Sequence, residues 1–260
     1  MKQKMSMMMI LILCISILGA CSTPKDGGTK KDTTEAGAAG NKKTLILGTN
    51  AEFPPFEYRE GEEIVGFDID LGKEIAKELG LELKVEDMIF DGLIPALQAG
   101  KIDIILAGMT IKPDRLENAN FSDFYFTASQ MILLHKDNDT ILGPDDLVKK
   151  KIGVQLGTTG DEVAQEIEGA EVIQFPAAYA ALLELSNKKI DAVILDLEVA
   201  KRFLTQNKDL KMLDIELTEE EYAAAINKKD TELLAQVNEA LKTLKENGTY
   251  DTLLKKYFED

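Results

Sequence analysis

The chain predicts an α/β fold built as two lobes, and three observations predict it. From Thr44 onward, apolar runs of strand length alternate with segments of helical period. The alternation runs through one series ending near Leu106, and a second begins at Met131. Residues 44–260 suit two compact bodies better than one.

Each element has its own signal. Thr44-Leu45-Ile46-Leu47-Gly48 is a short apolar strand. Leu71, Ile75 and Leu79 share a helix face that ends at Gly80. Leu81 to Met88 reads as a strand, Asp91 to Gln98 as a helix closed by Gly100, and Ile102 to Leu106 as a buried strand. The second series opens with Met131 to His135 and continues with a strand at Lys151 to Gln155 and a helix after Thr159. A strand near Val172-Ile173, a helix over Ala178 to Leu185 and a strand from Asp191 to Leu195 follow. Leu233, Leu234, Val237, Ala240, Leu241 and Leu244 mark one face of a long helix, which Asn247-Gly248 ends before Thr249 caps a final short helix. Such alternation implies parallel-rich sheets with helices on both faces. No internal repeat is present.

The front end sets the compartment. Lys2 and Lys4 precede an apolar stretch from Met7 to Leu18, which is too short to span a bilayer as a helix. Leu18-Gly19-Ala20-Cys21 then resembles the cleavage and lipidation motif of bacterial lipoproteins. The resemblance implies a signal peptide over 1–20 and a lipid on Cys21, the first mature residue. Cys14 is lost with the leader, so no disulfide is expected and the fold relies on its core. Residues 21–43 carry Ala36, Ala38 and Ala39 among Gly, Thr, Lys and Asp, and read as a flexible tether.

Charge narrows the partners. The formal net charge is -16, and removal of Lys2 and Lys4 takes it to about -18. A surface this acidic argues against nucleic acid and against broad contact with anionic lipid. With His135 the one histidine and Cys21 claimed by lipid, no metal site or cofactor is expected.

The stretch from Ala107 to Arg115 carries the most specific chemistry. An apolar strand opens into Gly108-Met109-Thr110, and Lys112-Pro113-Asp114 then turns the chain so that Arg115 comes back toward it. Backbone N–H groups, a hydroxyl and a planar guanidinium together suit a small carboxylate.

Six segments, in order, resemble the solute-binding proteins of family 3, the polar-amino-acid binders of ABC importers. They are Gly48 to Glu57, Val65 to Leu71, Phe90 to Leu97, Ala107 to Arg115, Gly153 to Thr159, and Glu246 to Tyr250. The resemblance covers the chain beyond the tether and implies the periplasmic binding protein type II fold. In that fold two α/β lobes are joined by two hinge strands, with the ligand cleft between them. Lobe 1 would comprise 44–127 plus 221–260 and lobe 2 would comprise 128–220. The crossings are expected near Phe126-Thr127-Ala128 and from Leu217 to Tyr222.

The family implies roles position by position. Arg115 would pair with the ligand α-carboxylate, aided by the N–H groups of Thr110 and Thr159. Thr159 would also cap a helix, in a box with Glu162. Asp196 would accept the α-ammonium together with the Gly108 carbonyl and the Thr110 hydroxyl; the residue type and place equally suit a helix N-cap. Phe53 and Phe90 would cover the ligand side chain, although either ring also suits a core. Gly66-Phe67-Asp68 and Pro95 read as scaffold: a turn, a packed ring and a helix cap. Gly157-Thr158-Thr159-Gly160 has no following lysine and is not a nucleotide loop.

Asn50, Glu52, Phe53, Phe90, Asp91, Gln155 and Leu195 stand where the ligand side chain is selected. Some relatives carry an acid at the position of Asn50, so the amide here weakens direct charge pairing. Two aromatic faces suit a stacked guanidinium, and Glu52 and Asp91 either add negative charge or face solvent. The expected ligand is arginine or lysine, with glutamine next. The expected partners are an ABC permease and ATPase, with a lipid anchor as the membrane contact and the chain itself a monomer. Two other classes exist on this fold, a ligand-presenting receptor for a sensor and a dehydratase-like enzyme. An enzyme would need a tuned acid or base in the cleft, whereas Arg115 and Asp196 already have binding roles.

Overall fold

The computed structural model describes residues 43–259. The expected leader, the Cys21 anchor and all of the tether but Lys43 lie outside the described residues.

β1 (Thr44–Thr49) buries Leu45 and Leu47 at the centre of the first body. A small meander of β2 (Glu52–Phe53), β3 (Glu57–Glu60) and β4 (Glu63–Val65) follows it. α1 (Phe67–Glu78) then returns along the sheet, with Leu71 and Ile75 buried and Leu79 at its C-cap. β5 (Glu82–Asp87) pairs parallel with β1 over six residues. The expected helix from Asp91 splits into a single 3-10 turn at Phe90–Gly92 and α2 (Leu93–Gln98). The expected strand from Ile102 shrinks to β6 (Ile104–Ile105), because the chain past Leu106 leaves the sheet to build loops. α3 (Pro113–Asn118) and β7 (Asn120–Phe121) complete this stretch.

The chain then crosses to a second sheet. β8 (Phe126–Ala128) leads into β9 (Gln130–His135), which is buried through Leu134. β10 (Lys151–Gln155), α4 (Thr159–Gln165), β11 (Glu171–Phe175), α5 (Ala178–Ser186), β12 (Ala192–Asp196) and α6 (Leu197–Gln206) follow as strand–helix units. β12 lies between β10 and β9 with every residue buried, which explains its unbroken apolar run. β13 (Leu210–Glu216) forms the edge, and β14 (Glu220–Tyr222) carries the chain back. β15 (Ala225–Ile226) rejoins the first sheet between β6 and β7. α7 (Thr231–Glu246) buries Leu233, Val237, Ala240, Leu241 and Leu244, and α8 (Thr249–Phe258) packs beside it.

The sheet orders are β5-β1-β6-β15-β7 and β11-β10-β12-β9-β13. Both are mixed rather than parallel-rich, since the strands next to each crossing run antiparallel. β8 and β14 pair antiparallel, Thr127 opposite Glu221 and Phe126 opposite Tyr222. Around that pair the rings of Phe56, Phe67, Phe126 and Phe258 form one cluster, with Phe126 and Phe258 at 4.7 Å. The starts of α8 and α1 also differ from expectation. Gly248, left-handed at φ 78°, occupies the N-cap of α8, and Thr249 is the first helical residue. Asp68 does not cap α1, whose N-cap is Gly66 without a side-chain bond; it is wholly buried inside the first turn.

Candidate functional site

Pro113 at the start of α3 makes the expected Lys-Pro-Asp turn the first turn of a helix. That turn drives Arg115 inward, to 4% exposure. Its Nη1 donates to the Thr110 carbonyl at 3.0 Å, and its Nη2 to the Gly157 carbonyl on the other side of the cleft at 3.0 Å. The guanidinium lies 5.4 Å from the centre of the Phe90 ring. Burial lowers its pKa, and Glu162, Asp114 and Glu220 oppose that shift. Among the described residues no carboxylate forms an ion pair with it.

Asp196 stands across the same cavity, at the carboxyl end of β12. Its Oδ1 accepts the N–H groups of Glu198 and Val199 at 2.9 and 3.2 Å, so it is the N-cap of α6. Its Oδ2 accepts the Tyr222 hydroxyl at 2.6 Å, and the residue borders the cavity. Capping and facing a ligand are therefore compatible, each on its own oxygen. Burial raises its pKa to about 7, against the hydrogen bonds from Tyr222 and the helix backbone.

Gly108 and Thr110 lie between these poles. Gly108 has φ +53°, and a Cβ there would fall 2.9 Å from the Phe53 ring, so glycine meets both the turn and the close approach. The Thr110 hydroxyl donates to Glu220 at 2.6 Å, which leaves its oxygen as an acceptor facing the cavity. Thr159 donates to that oxygen across the cleft at 3.1 Å. The expected Thr159–Glu162 box is not formed. Thr158 is the N-cap and accepts from Asp161 N–H, while Glu162 reaches across the cleft to Lys112. The register slips by one because Gly157, at φ +77°, turns the chain just before Thr158.

At the side-chain end Gln155 Nε2 donates to Asn50 Oδ1 at 2.8 Å, bridging β10 to the loop after β1. Phe53, Phe90 and Leu195 line the same space. All nine expected binding residues, Asn50, Phe53, Phe90, Gly108, Thr110, Arg115, Gln155, Thr159 and Asp196, border this one cavity. Glu52 and Asp91 do not. Glu52 faces an outer groove with Arg59, and Asp91 is exposed. The cavity also takes in Glu57 and Tyr222, which were absent from the expected set. Glu57 lies in an all-polar strand, Glu-Tyr-Arg-Glu, that reads as surface. Tyr222 follows three glutamates in a crossing strand. Neither pattern carries a signal for burial. Among the described residues, no group of three or more His, Cys, Asp or Glu side chains is arranged to hold a metal ion.

Comparison with known proteins agrees with this architecture. The model of the bacterial extracellular solute-binding proteins, family 3, matches residues 45–260. The arginine-binding extracellular protein ArtP of Bacillus subtilis (strain 168) is 37% identical, with 97% of each chain covered. The ABC transporter glutamine-binding protein GlnH of the same organism is 31% identical over 100% of this chain and 98% of its own. A solved ancestral arginine-binding protein bound to arginine superposes with a TM-score of 0.81 at 43% identity, covering 84% of this chain and 99% of that one.

Proposed function

Because the chain belongs to the bacterial extracellular solute-binding proteins, family 3, we propose that its cavity takes a free L-α-amino acid, arginine or lysine, with glutamine next. At the level of the family, the protein is an amino-acid-binding component of an ABC transporter rather than an enzyme, and it has the two-lobed type II fold.

One observation carries the ligand class. A buried guanidinium without a carboxylate partner and a buried carboxylate with a free lone pair face one small cavity from opposite sides. A zwitterion supplies both missing charges. Arg115 takes the carboxylate; Asp196, the Gly108 carbonyl and the Thr110 oxygen take the ammonium. Phe53 and Phe90 offer ring faces to a cationic side chain, and the arginine-binding relatives support that choice. The Asn50–Gln155 amide pair favours glutamine as the second reading, since amides match an amide side chain.

The two lobes, 44–127 plus 221–260 and 128–220, close on the ligand by bending at β8 and β14. The closed complex is what the permease reads. A lipid on Cys21 and the following tether hold the domain at the outer face of the membrane. A thermal-shift screen of the common amino acids tests the ligand. Arginine or lysine should raise the melting temperature most, because a ligand that binds only the folded state adds about 2.7 kcal/mol at a hundredfold excess over its Kd. Displacement of bound arginine by glutamine at equal or lower concentration would reverse the order.

A further inference from the structure

Glu57, which borders the cavity, and Asp68, which does not, are two carboxyl groups for which the binding scheme has no use. Glu57 on β3 and Asp68 in α1 are both 0% exposed. Asp68 Oδ2 accepts the Gly108 N–H at 2.9 Å and the Tyr125 hydroxyl at 2.7 Å. Asp68 Oδ1 and both oxygens of Glu57 receive no donor from the protein. The Asp68 N–H donates to the Phe56 carbonyl at 2.9 Å, which sets the start of α1 against the residue next to Glu57, and the two carboxyls act on each other as hydrogen-bond partners. We propose that Glu57 is protonated and donates to Asp68 Oδ1, and that this one-proton pair positions Gly108 for the ligand ammonium.

The assignment follows from who donates to whom. Two ionised carboxylates in buried contact repel, and neither can then satisfy the other. One proton placed between them satisfies Asp68 Oδ1 and one Glu57 oxygen together. It belongs on Glu57, because Asp68 has two donors stabilising its ionised form and Glu57 has none. The surroundings agree. The charges acting most strongly on Glu57 are Asp68, Asp196 and Asp87, all acids, while Asp68 faces Tyr125 and the Gly108 amide. Burial and these acids push Glu57 well above the ordinary carboxyl range, whereas Asp68 rises to about 6. Glu57 therefore keeps its proton at neutral pH and the pair bears one negative charge.

The consequence reaches the ligand through one residue, Gly108, whose N–H and carbonyl belong to successive peptide units. Asp68 holds the Gly108 N–H and with it the Ala107–Gly108 peptide plane; from there the left-handed φ of +53°, on a face that the Phe53 and Tyr222 rings close to any side chain, sets how the Gly108 carbonyl leaves that plane. Glu57 and Asp68 are thus positioning residues; this consequence rests on the amino-acid reading of the cavity, whereas the proton itself does not.

The test uses the ligand-free chain first. Infrared spectra at about pH 8, where Asp196 is mostly ionised, should contain the carbonyl band of a protonated carboxyl that Glu57→Gln lacks. The Gly108 amide resonance should move in Glu57→Ala and return in Glu57→Gln, whose amide donates in place of the acid. Calorimetry with arginine should then show at least tenfold weaker binding for Glu57→Ala and recovery to within about threefold in Glu57→Gln. No such band, or a Gln variant as weak as the Ala variant, overturns the proposal, since an ionised Glu57 would then be the functional form. An unmoved Gly108 resonance in Glu57→Ala overturns the positioning role. If Glu57→Ala does not fold, the band and the Gln variant decide alone. A wild-type chain that binds no amino acid would refute the cavity's assignment, yet the band and the resonance would still decide the proton.

Discussion

The Tyr222 hydroxyl donates to Asp196 Oδ2 at 2.6 Å, joining the strand that returns to the first sheet to the acid that ends β12. The bond ties a hinge strand to a pole of the cavity. It also stabilises the ionised form of Asp196 against its burial. Tyr222→Phe keeps the ring and removes the donor, so affinity for the amino acid should fall about tenfold near neutral pH, in line with a hydrogen bond to a charged group. Unchanged affinity by calorimetry would mean that Asp196 is held by its helix cap alone.

Affinity should depend on pH with a definite sign. Asp196 in the empty cavity has its pKa raised to about 7, and an ammonium beside it favours the ionised form. Binding below neutral pH then releases a proton, and affinity should be about tenfold weaker at pH 6 than at pH 8. Titrations in buffers of different ionisation enthalpy would reveal the proton; a flat profile would remove Asp196 from the ammonium site.

Stability of the ligand-free protein should run the other way. Burial raises both Asp68, to about 6, and Asp196, to about 7, from 3.8. Glu57, pushed well above its ordinary value, adds to this, so the folded state binds more protons than the unfolded state from roughly pH 4 to beyond 7, and stability falls as pH rises through that window. The melting temperature should drop by roughly 5 °C or more from pH 5 to pH 8. Asp196→Asn should flatten the upper half of the curve.

Arg115 is the other pole. Arg115→Ala would leave a buried ligand carboxylate without its fork and should cost about 2–5 kcal/mol of binding. Arg115→Lys should recover part of that loss, because an ammonium restores charge but not bidentate geometry. Wild-type affinity in the alanine variant would refute the carboxylate assignment.

Lobe closure should be visible in solution. Side-chain contacts already join the lobes, among them Gln155–Asn50, Thr159–Thr110, Arg115–Gly157, Lys112–Glu162 and Tyr222–Asp196. Saturating ligand should reduce the radius of gyration measured by small-angle scattering. Charge reversal at Lys112 or at Glu162 should each weaken binding modestly, by about 0.5–1 kcal/mol given the half-exposed Glu162, and the double reversal should restore it. Identical scattering with and without ligand would exclude closure as the binding step.

How much was legible before the fold was known depends on what each residue signals locally. Arg115, Thr110 and Asp196 were readable because strand ends and helix starts advertise themselves through glycine, proline and small polar residues. The Thr159 cap was off by one, since Thr158 and Thr159 offer the same hydroxyl and only the turn at Gly157 chooses between them. Glu52 and Asp91 fall outside the cavity for a similar reason: proximity in sequence to Phe53 and Phe90 does not say which way a side chain points.

The sequence by itself determined the strand–helix alternation, the apolar faces of α1 and α7, the acidic charge and the donor-rich turn from Gly108 to Arg115, while the other cleft residues were named by the resemblance to the family. Those properties are local, set by periodicity and by the conformations that glycine and proline favour. Only the tertiary structure decided that Glu57 and Asp68 touch, that Glu220 turns the Thr110 hydroxyl, and that Tyr222 holds Asp196. Each of these joins residues distant in sequence, and burial is what gives it force. A carboxyl in water has an ordinary pKa and any number of partners; enclosed by a fold it has the few donors that packing leaves it, and its charge follows from them.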